Sequence, residues 1–428
     1  MTEFPKRIAS TADSIRSRTA PYAEKGTRIA RRARDIAAAR LAERRVHGQM
    51  RVQTTDAFVA GVHFAGDADS TYQLEQWLGP LEGLRDHLRE ALGVDEPVGI
   101  LCRSADHAVT IAERTTIPVR FSRLSDGLSA FMLQASLRVV FYVNQSMMNF
   151  QALRFAGPAH IHLSHGESEK DSMISNQLKA YDWVFTAGPA ARERIEDTLI
   201  GMPQSRMMDV GRPQLDMPRP IPGEWSGSSA AQQSGRTVFV APTWEGDSPA
   251  MAYGTIAVSG VDVLSSLFDA GLRVIFRPHP RTGVVSAAAR KALEECSELV
   301  EHQQGGFLDT TSEIGWQLDV ADAAVCEMSS VAFDWLSTGK PLIMIRPFDT
   351  RAHLIEGGIF ERATSLAPDE SESAGIRVQE HLSNQSQSRE LAMDLSNRYL
   401  GSDVRGQHQL RFNRAVSTAI RLREEHKA

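Results

Sequence analysis

Residues 160–170 read His-Ile-His-Leu-Ser-His-Gly-Glu-Ser-Glu-Lys, a short apolar-alternating run that passes directly into His165 and Gly166. Open α/β sheets place their chemistry just beyond the carboxyl ends of their strands. Glycine lets the backbone turn sharply or approach a ligand closely, and Lys170 adds a point charge suited to phosphate. The stretch therefore predicts an α/β protein with a general base or a phosphate contact here. The alternative is a partly buried histidine satisfied by backbone groups.

Short apolar runs alternate with amphipathic helical segments on both sides of this stretch. Such βα alternation predicts mainly parallel, doubly wound sheets. The expected strands of the first half are Ala57–Val62, Val98–Cys102, Arg138–Val143, His160–Leu163, Trp183–Thr186 and Met207–Val210. Those of the second half are Thr237–Ala241, Arg273–Arg277, Ala323–Cys326 and Pro341–Ile345. The expected helices are Leu74–Leu92, Met173–Tyr181, Ala287–Cys296, Ser330–Ser337 and most of 379–427.

The chain has 428 residues, more than one hydrophobic core usually organises, so two domains are expected. Residues 216–235 lack periodicity and contain three Pro and three Gly, which predicts an interdomain linker. We therefore expect a first domain over 52–215 and a second over 236–400. A terminal helix follows over 401–428.

Residues 1–51 form a predicted basic helical arm with 13 Lys and Arg against 5 Asp and Glu. The remainder is acidic, with 34 Lys and Arg against 48 Asp and Glu. A basic amphipathic helix can lie on an anionic membrane surface. The alternative is a solvated helix that docks its thin apolar stripe on the body of the protein. No aromatic residues are interleaved with the arginines between 28 and 45, so nucleic acid is not expected as a partner.

The three cysteines, Cys102, Cys296 and Cys326, are widely spaced, as in a reduced cytosolic protein without a zinc pattern. We expect no membrane-spanning helix, because no apolar run approaches the ~18 residues of a membrane span. The first residues lack the apolar core of a signal peptide. These features predict a cytoplasmic protein, and the basic arm places it on the inner face of the membrane. No cofactor is expected.

Three further segments follow predicted strands. Arg277-Pro-His279-Pro suits an anionic phosphate, because the prolines fix the strand exit and direct both side chains. Residues 322–330 end in Ser329 and Ser330 at a helix start, where free N–H groups and hydroxyls could hold a diphosphate. Residues 242–245, Pro-Thr-Trp-Glu, could contact substrate. The structural alternatives are a surface turn, a helix N-cap and an aromatic plug.

Taken in order, these segments resemble the CDP-glycerol glycerophosphotransferase family, the enzymes that build teichoic acid polymers. The family's His-Gly-x-x-x-Lys looks like His165, Gly166 and Lys170, and its Gly-x-Pro-Arg-x-Asp looks like residues 211–216. The similarity covers roughly residues 138–360.

The later family motifs lie in the second half. Pro-Thr-Trp-Arg looks like residues 242–245, and Arg-x-His-Pro is met at 277–280. Asp-x-x-x-Thr-Asp-Tyr-Ser-Ser, with an Asp four residues later, looks like 322–330 and Asp334. The sequence departs from the family at Gln214 and Glu245, where arginines are usual, and at residues 326–328, where Cys-Glu-Met replaces Thr-Asp-Tyr.

The resemblance implies a GT-B-like fold of two Rossmann-like domains that face a cleft. It implies transfer of a glycerol-phosphate or related polyol-phosphate unit from a CDP-linked donor to a lipid-linked polymer, with release of CMP. His165 would be the base, and His279 is the second expected catalytic residue. Expected donor and phosphate contacts are Lys170, Arg277, Ser329, Ser330, Glu327 and Asp334. Further expected substrate contacts are Gly166, Thr243, Trp244 and Asp216.

Three other functions remain compatible with the sequence. A GT-B glycosyltransferase would share the fold and the diphosphate site but use a nucleotide-sugar. A metal-dependent hydrolase is suggested by His160-x-His162-x-Ser164-His165, which looks like the metal motif of the metallo-β-lactamase fold with serine in place of a ligand aspartate. A non-catalytic surface-binding protein is the third.

Overall fold

The computed structural model describes residues 43–67, 70–164, 166–170, 173–311, 314–401 and 406–428. Most of the predicted basic arm, residues 1–42, lies outside the described residues, and so does His165. Residues 43–50 are helical, and Val46 and Met50 of this helix pack against the core of the first domain.

The first domain is built on a seven-stranded sheet in the order β3-β2-β1-β4-β5-β6-β7, in which every pair is parallel. Its strands are β1 Ala60–Phe64, β2 Val98–Cys102, β3 Val119–Phe121, β4 Val139–Tyr142, β5 Ala159–Leu163, β6 Trp183–Thr186 and β7 Met207–Asp209. Its helices are α1 Thr71–Glu75, α2 Leu78–Leu92, α3 Ala105–Ala112, α4 Ser125–Met132, α5 Phe150–Leu153 and α6 Pro189–Thr198. Most strands are apolar throughout because helices cover both faces of the sheet.

The second domain repeats the architecture with a six-stranded parallel sheet in the order β10-β9-β8-β11-β12-β13. Its strands are β8 Thr237–Ala241, β9 Arg273–Phe276, β10 Gly306–Leu308, β11 Ala323–Cys326, β12 Leu342–Ile345 and β13 Thr364–Leu366. Its helices are α7 Gly223–Ser226, α8 Ser229–Gln232, α9 Ile256–Asp269, α10 Ala287–His302, α11 Gln317–Val320, α12 Ser330–Trp335, α13 Ile359–Arg362, α14 Ala374–Ser383 and α15 Gln385–Leu400. The prediction of two doubly wound domains is confirmed.

The last helix, α16 His408–Lys427, returns to the first domain. Its buried residues Phe412, Val416 and Ala419 belong to the same core cluster as the strands of the first sheet. Phe412 lies 5.3 Å from Trp77, measured between ring centroids. The chain therefore passes between the two domains twice.

The segment 216–235 is folded. It contains α7 and α8, and Trp225 is buried against Phe307 and Trp316 of the second domain. Its lack of periodicity predicted an interdomain linker. In the structure, the buried indole of Trp225 anchors the segment to the core of the second domain. The expected helix Met173–Tyr181 is also shorter than expected, because only the 3₁₀ turn Asn176–Ala180 forms.

One segment among the described residues, Pro249–Asp269, is long and apolar enough to cross a membrane by length and composition. This differs from the expectation that no apolar run reaches that length. Its helical part is α9, which buries Ile256, Val263 and Leu267 in the core of the second domain. That packing is typical of a core helix in an α/β domain.

Candidate functional site

The candidate site lies where the carboxyl edges of the two sheets meet, and Glu327 organises its second-domain side. Ala241 pairs with Cys326 where β8 and β11 lie side by side, at the point where the strand order reverses. Such a switch point is where doubly wound sheets bind ligands. The buried Glu327 carboxylate accepts hydrogen bonds from the N–H groups of Thr243 and Thr255, both at 2.9 Å. The Thr255 hydroxyl donates a third at 2.5 Å.

Lys170 reaches this cluster from the first domain. Its Nζ lies 3.2 Å from the Thr243 hydroxyl and 5.5 Å from the centroid of the Tyr253 ring. Burial lowers the pKa of Lys170 to about 8, although the nearby Glu327 carboxylate opposes the shift. Burial also raises the pKa of Glu327 to about 7, against its threonine hydrogen bonds and Lys170. The structure thus joins two predicted donor-binding residues from different domains.

The glycine of the His-Gly pair lies against the start of α12. A Cβ atom added to Gly166 would be 3.1 Å from Cβ of Ser330, which is tighter than an ordinary van der Waals contact, so glycine favours this close approach. The Ser164 hydroxyl donates to the carbonyl of Gly166 at 2.5 Å and fixes the turn. Ser329 is buried, and its hydroxyl has no hydrogen-bond partner among the described residues. The Gly166 turn and both predicted serines are therefore brought together.

His279 lies on the same edge, after β9. Its Nδ1 accepts a hydrogen bond from the N–H of Arg281 at 3.1 Å. Burial, aided by the charges of Lys170 and Arg281, lowers the pKa of His279 to about 4. The neutral imidazole must then carry its proton on Nε2. In this arrangement His279 is a hydrogen-bond donor, which suits phosphate binding better than proton abstraction.

Trp244 is covered by neighbours from the following loop. The Arg281 guanidinium lies 3.9 Å from the centroid of the indole, and the His279 ring is stacked on it at 6.4 Å. The indole thus supports the loop that carries His279. Its predicted contact with substrate stays a prediction.

Arg277 is held inside the second domain. Its Nη1 lies 3.0 Å from Asp309 Oδ2 and 3.3 Å from the Thr311 hydroxyl. The Asp309 side chain is fully buried, so this ion pair fixes the strand exit before His279. A direct phosphate contact by Arg277 stays a prediction.

Asp334 meets the first domain through a bidentate ion pair. Arg212 Nε lies 2.9 Å from Asp334 Oδ1, and Arg212 Nη2 lies 3.1 Å from Asp334 Oδ2. Arg212 is buried, so the pair is shielded from solvent. Both acidic residues expected to contact the donor, Glu327 and Asp334, are thus engaged by protein groups.

Asp216 also has a structural role. Its carboxylate accepts the N–H groups of Gly406 and Gln409 at 2.8 and 2.7 Å, at the start of α16. This is the arrangement of a helix N-cap. Asp216 therefore fixes the return of the chain to the first domain, and its predicted substrate contact stays untested.

Two acidic residues between Gly166 and Lys170 were not predicted to have a role. The Glu167 carboxylate forms a buried ion pair with Arg194 within the first domain. The Glu169 carboxylate accepts the hydroxyl of Tyr399 at 2.6 Å and the N–H of Ile359 at 3.0 Å, both in the second domain. The sequence signal that could have revealed them is the presence of two carboxylates in one short loop beside a predicted site. Buried charges need partners, so such a loop predicts ion pairs or hydrogen bonds to neighbouring segments.

Glu245 and Gln214, which stand where the resembled family has arginines, lie in different surroundings. Glu245 accepts hydrogen bonds from the N–H groups of Gly283, Val285 and Ser286, just before α10. Partial burial raises the pKa of Glu245, but the hydrogen bonds from backbone N–H groups outweigh this effect. The pKa of Glu245 is therefore lower than its ordinary value. Gln214 is buried, and both atoms of its amide group lack hydrogen-bond partners among the described residues.

The two histidines of β5, His160 and His162, contact other residues of the first domain. His160 Nδ1 lies 2.8 Å from the Tyr142 hydroxyl, and its Nε2 lies 2.8 Å from the carbonyl of Phe155. His162 packs 5.1 Å from the ring of Tyr181. Both nitrogens of His160 are used, so it is not placed to ligate a metal. This geometry weighs against the metal-hydrolase alternative.

Solved structures share this two-domain fold at low sequence identity. The wall teichoic acid polymerase TagF matches with a TM-score of 0.53 and 12% identity over 93% of this chain and 98% of that one. A Listeria monocytogenes protein assigned as a UDP-N-acetylglucosamine 2-epimerase matches with 0.57 and 11%, over 85% and 96%. A glycosyltransferase from Rickettsia africae matches with 0.53 and 9%, over 85% and 99%. No protein-family model and no curated protein sequence matches the chain. The predicted GT-B-like fold is confirmed.

Proposed function

We propose that this protein transfers a glycerol-phosphate or related polyol-phosphate unit from a CDP-activated donor to a hydroxyl of a membrane-anchored cell-wall or capsule-type polymer. The observation that carries the proposal is the placement of Lys170 against Thr243 and Glu327, on the edge that also holds His279. A partly buried cation and a neutral N–H donor at a sheet switch point suit a diphosphate. The shared fold with TagF supports the same reading.

The reaction would be a direct displacement at phosphorus. The acceptor oxygen forms a new bond to the β-phosphorus of the donor, and the bond from that phosphorus to the bridging oxygen breaks. CMP leaves with the electron pair of that bond. His165, as predicted from the sequence, takes the proton of the acceptor hydroxyl. In phosphoryl transfer the protein mainly supplies positioning and charge stabilisation.

In this proposal, each described residue has a defined task. Lys170 neutralises charge that develops on the phosphate of the departing CMP, and His279 donates from Nε2 to a phosphate oxygen. The Ser329 hydroxyl and the first N–H groups of α12 bind a second phosphate oxygen. Glu327 holds the loops of Thr243 and Thr255 in place and keeps Lys170 oriented.

A nucleotide-sugar donor is the second candidate. Glu245 and Gln214 stand where the resembled family has arginines, and Glu245 is used to cap the backbone before α10. A site with fewer cations suits a donor whose transferred group carries no charge. The transferred group would then be a sugar, and the product a nucleoside diphosphate.

A donor screen distinguishes these candidates. The protein would be incubated with CDP-glycerol, CDP-ribitol and UDP-sugars in the presence of an acceptor polymer, and the released nucleotide identified. We expect CMP from a CDP-linked donor. UDP release from a sugar donor, with CDP-linked donors inert, would replace the proposal by the second candidate. The variant Lys170→Met should abolish release from the true donor, and the exposed His302→Ala is the matched control.

Membrane contact is part of the proposal, because a lipid-linked acceptor stays at the bilayer. The basic arm over residues 1–51 would bind the anionic inner face of the membrane by charge. Removing residues 1–42 should weaken binding to anionic vesicles most at low salt, where charge attraction is least screened. Equal sedimentation of both forms at low salt would exclude the arm as a tether.

A further inference from the structure

Large apolar side chains are exposed on two loops at the carboxyl edge of the first sheet. Leu124 follows β3 and is 60% exposed, and Met147 follows β4 and is 76% exposed. Met148, beside Met147, and Phe150, at the start of α5, are 41% and 44% exposed. Single exposed apolar residues are ordinary, but four on neighbouring loops call for a partner.

Arg103 joins the two loops into one surface. Its Nη2 donates to the carbonyl of Arg123 at 2.9 Å and to Gln151 Oε1 at 3.1 Å. Its Nη1 lies 3.3 Å from the carbonyl of Leu124. Gln151 in turn contacts the sulfur of Met148 at 3.6 Å. We call Leu124, Met147, Met148 and Phe150 the apolar loop patch.

The basic arm enters the described structure beside this patch. The described chain begins at Glu43, whose carboxylate lies 3.3 Å from Arg123 Nε. Arg123 directly precedes Leu124 and is itself well exposed. Residues 1–42 add 10 Lys and Arg against 4 Asp and Glu. The basic segment 1–42 is thus joined to the described chain at the edge of the domain that carries the exposed apolar side chains.

We propose that the apolar loop patch inserts into the headgroup and upper acyl region of an anionic lipid bilayer, next to the arm. Apolar side chains with flanking cations are what such an interface binds, through buried apolar area and attraction to anionic lipids. The patch shares the carboxyl edge with the Gly166 turn after β5. Docking would therefore hold the cleft near the lipid surface. The inference extends the proposed membrane contact from the arm to the folded domain, and it is independent of the donor.

Vesicle sedimentation of the full chain tests the patch. The double variant Leu124→Ser/Met147→Ser removes its two most exposed residues. The control Leu133→Ser/Ile200→Ser removes two residues that are even more exposed, at 71% and 92%, from loops that precede β4 and β7 at the opposite edge. Vesicles of phosphatidylcholine and phosphatidylglycerol would be used at low and high salt, because high salt suppresses the contribution of the arm.

We expect the patch variant to bind vesicles at least about tenfold more weakly at high salt, as the loss of two inserted side chains implies. The control should bind within about twofold of the parent protein by the same reasoning.

Equal binding of the two double variants would overturn the inference. So would a patch variant that dissociates a dimer in light scattering without changing vesicle binding, because the patch would then pair two copies. Stronger binding after removal of residues 1–42 would also overturn it, because the arm would then cover the patch. CMP release with a soluble acceptor is measured separately and reports on the proposed function alone.

Discussion

The buried contact between Glu169 and Tyr399 should contribute strongly to holding the two domains together. Glu169 lies in the loop that carries Lys170, and Tyr399 lies on α15 of the second domain. The carboxylate accepts the tyrosine hydroxyl at 2.6 Å and the N–H of Ile359 at 3.0 Å. Burial, followed by the Glu169 charge, raises the pKa of Tyr399 and keeps the hydroxyl protonated as a donor.

The magnitude follows from what each change leaves unpaired. Tyr399→Phe removes one hydrogen bond to a charged group and should lower the free energy of unfolding by about 1.5–3 kcal/mol. Glu169→Ala leaves the Tyr399 hydroxyl and the Ile359 N–H buried and unsatisfied, at about 1–3 kcal/mol each. The double variant should be less destabilised than the sum, with a coupling energy of about 2 kcal/mol.

The same helix provides a matched control. Arg398 and Glu193 also join α15 to the first domain, at 3.0 Å, but their side chains are 31% and 49% exposed. Their coupling energy should be no more than about 1 kcal/mol, because solvent screens exposed pairs. Both cycles would be measured by urea denaturation followed by tryptophan fluorescence. A Glu169–Tyr399 coupling no larger than the Arg398–Glu193 coupling would refute the reasoning.

Three further predictions concern the site and the second domain. His165→Ala and His279→Ala should each lower turnover by at least ~10²-fold, the usual loss for a group that moves or holds a proton in the reaction; a near-native rate of nucleotide release in either variant would remove that role. Because burial raises the pKa of Glu327 from 4.5 to about 7, the folded protein binds this proton more tightly than the unfolded chain. The free energy of unfolding should therefore fall as the pH rises from 4.5 through 7, and Glu327→Gln should flatten that slope in urea titrations; an unchanged slope would contradict the assignment. Trp225→Ala should destabilise the second domain by about 3–5 kcal/mol, whereas an unchanged denaturation midpoint would mean that segment 216–235 is not part of the core.

The strands of both sheets were largely predictable, because strands buried on both faces are short continuous apolar runs. Val98–Cys102, Trp183–Thr186, Thr237–Ala241 and Ala323–Cys326 match their predicted limits. The missed strands β3, β10 and β13 have three residues each and lie at the edges of their sheets. An edge strand has neighbours on one side only, so its sequence needs less apolar character.

The site was predictable in its position and less so in its contacts. Lys170, Gly166, Ser330 and His279 follow strands, and the parallel topology alone brings such residues to one edge. The partners of the carboxylates could not be predicted, because Asp334 and Glu169 bind groups from the other domain. Such contacts depend on how the two domains face each other, which local patterns do not encode.

The return of α16 to the first domain has a consequence for biosynthesis. Phe412 and Val416 complete the core around β1 and β4, yet a ribosome makes them only after all strands of the second domain. Domains generally fold as units while synthesis proceeds. Here the first domain must wait with part of its apolar surface uncovered until the second has emerged. Nascent chains of this protein should therefore depend on chaperones for the first domain more than for the second.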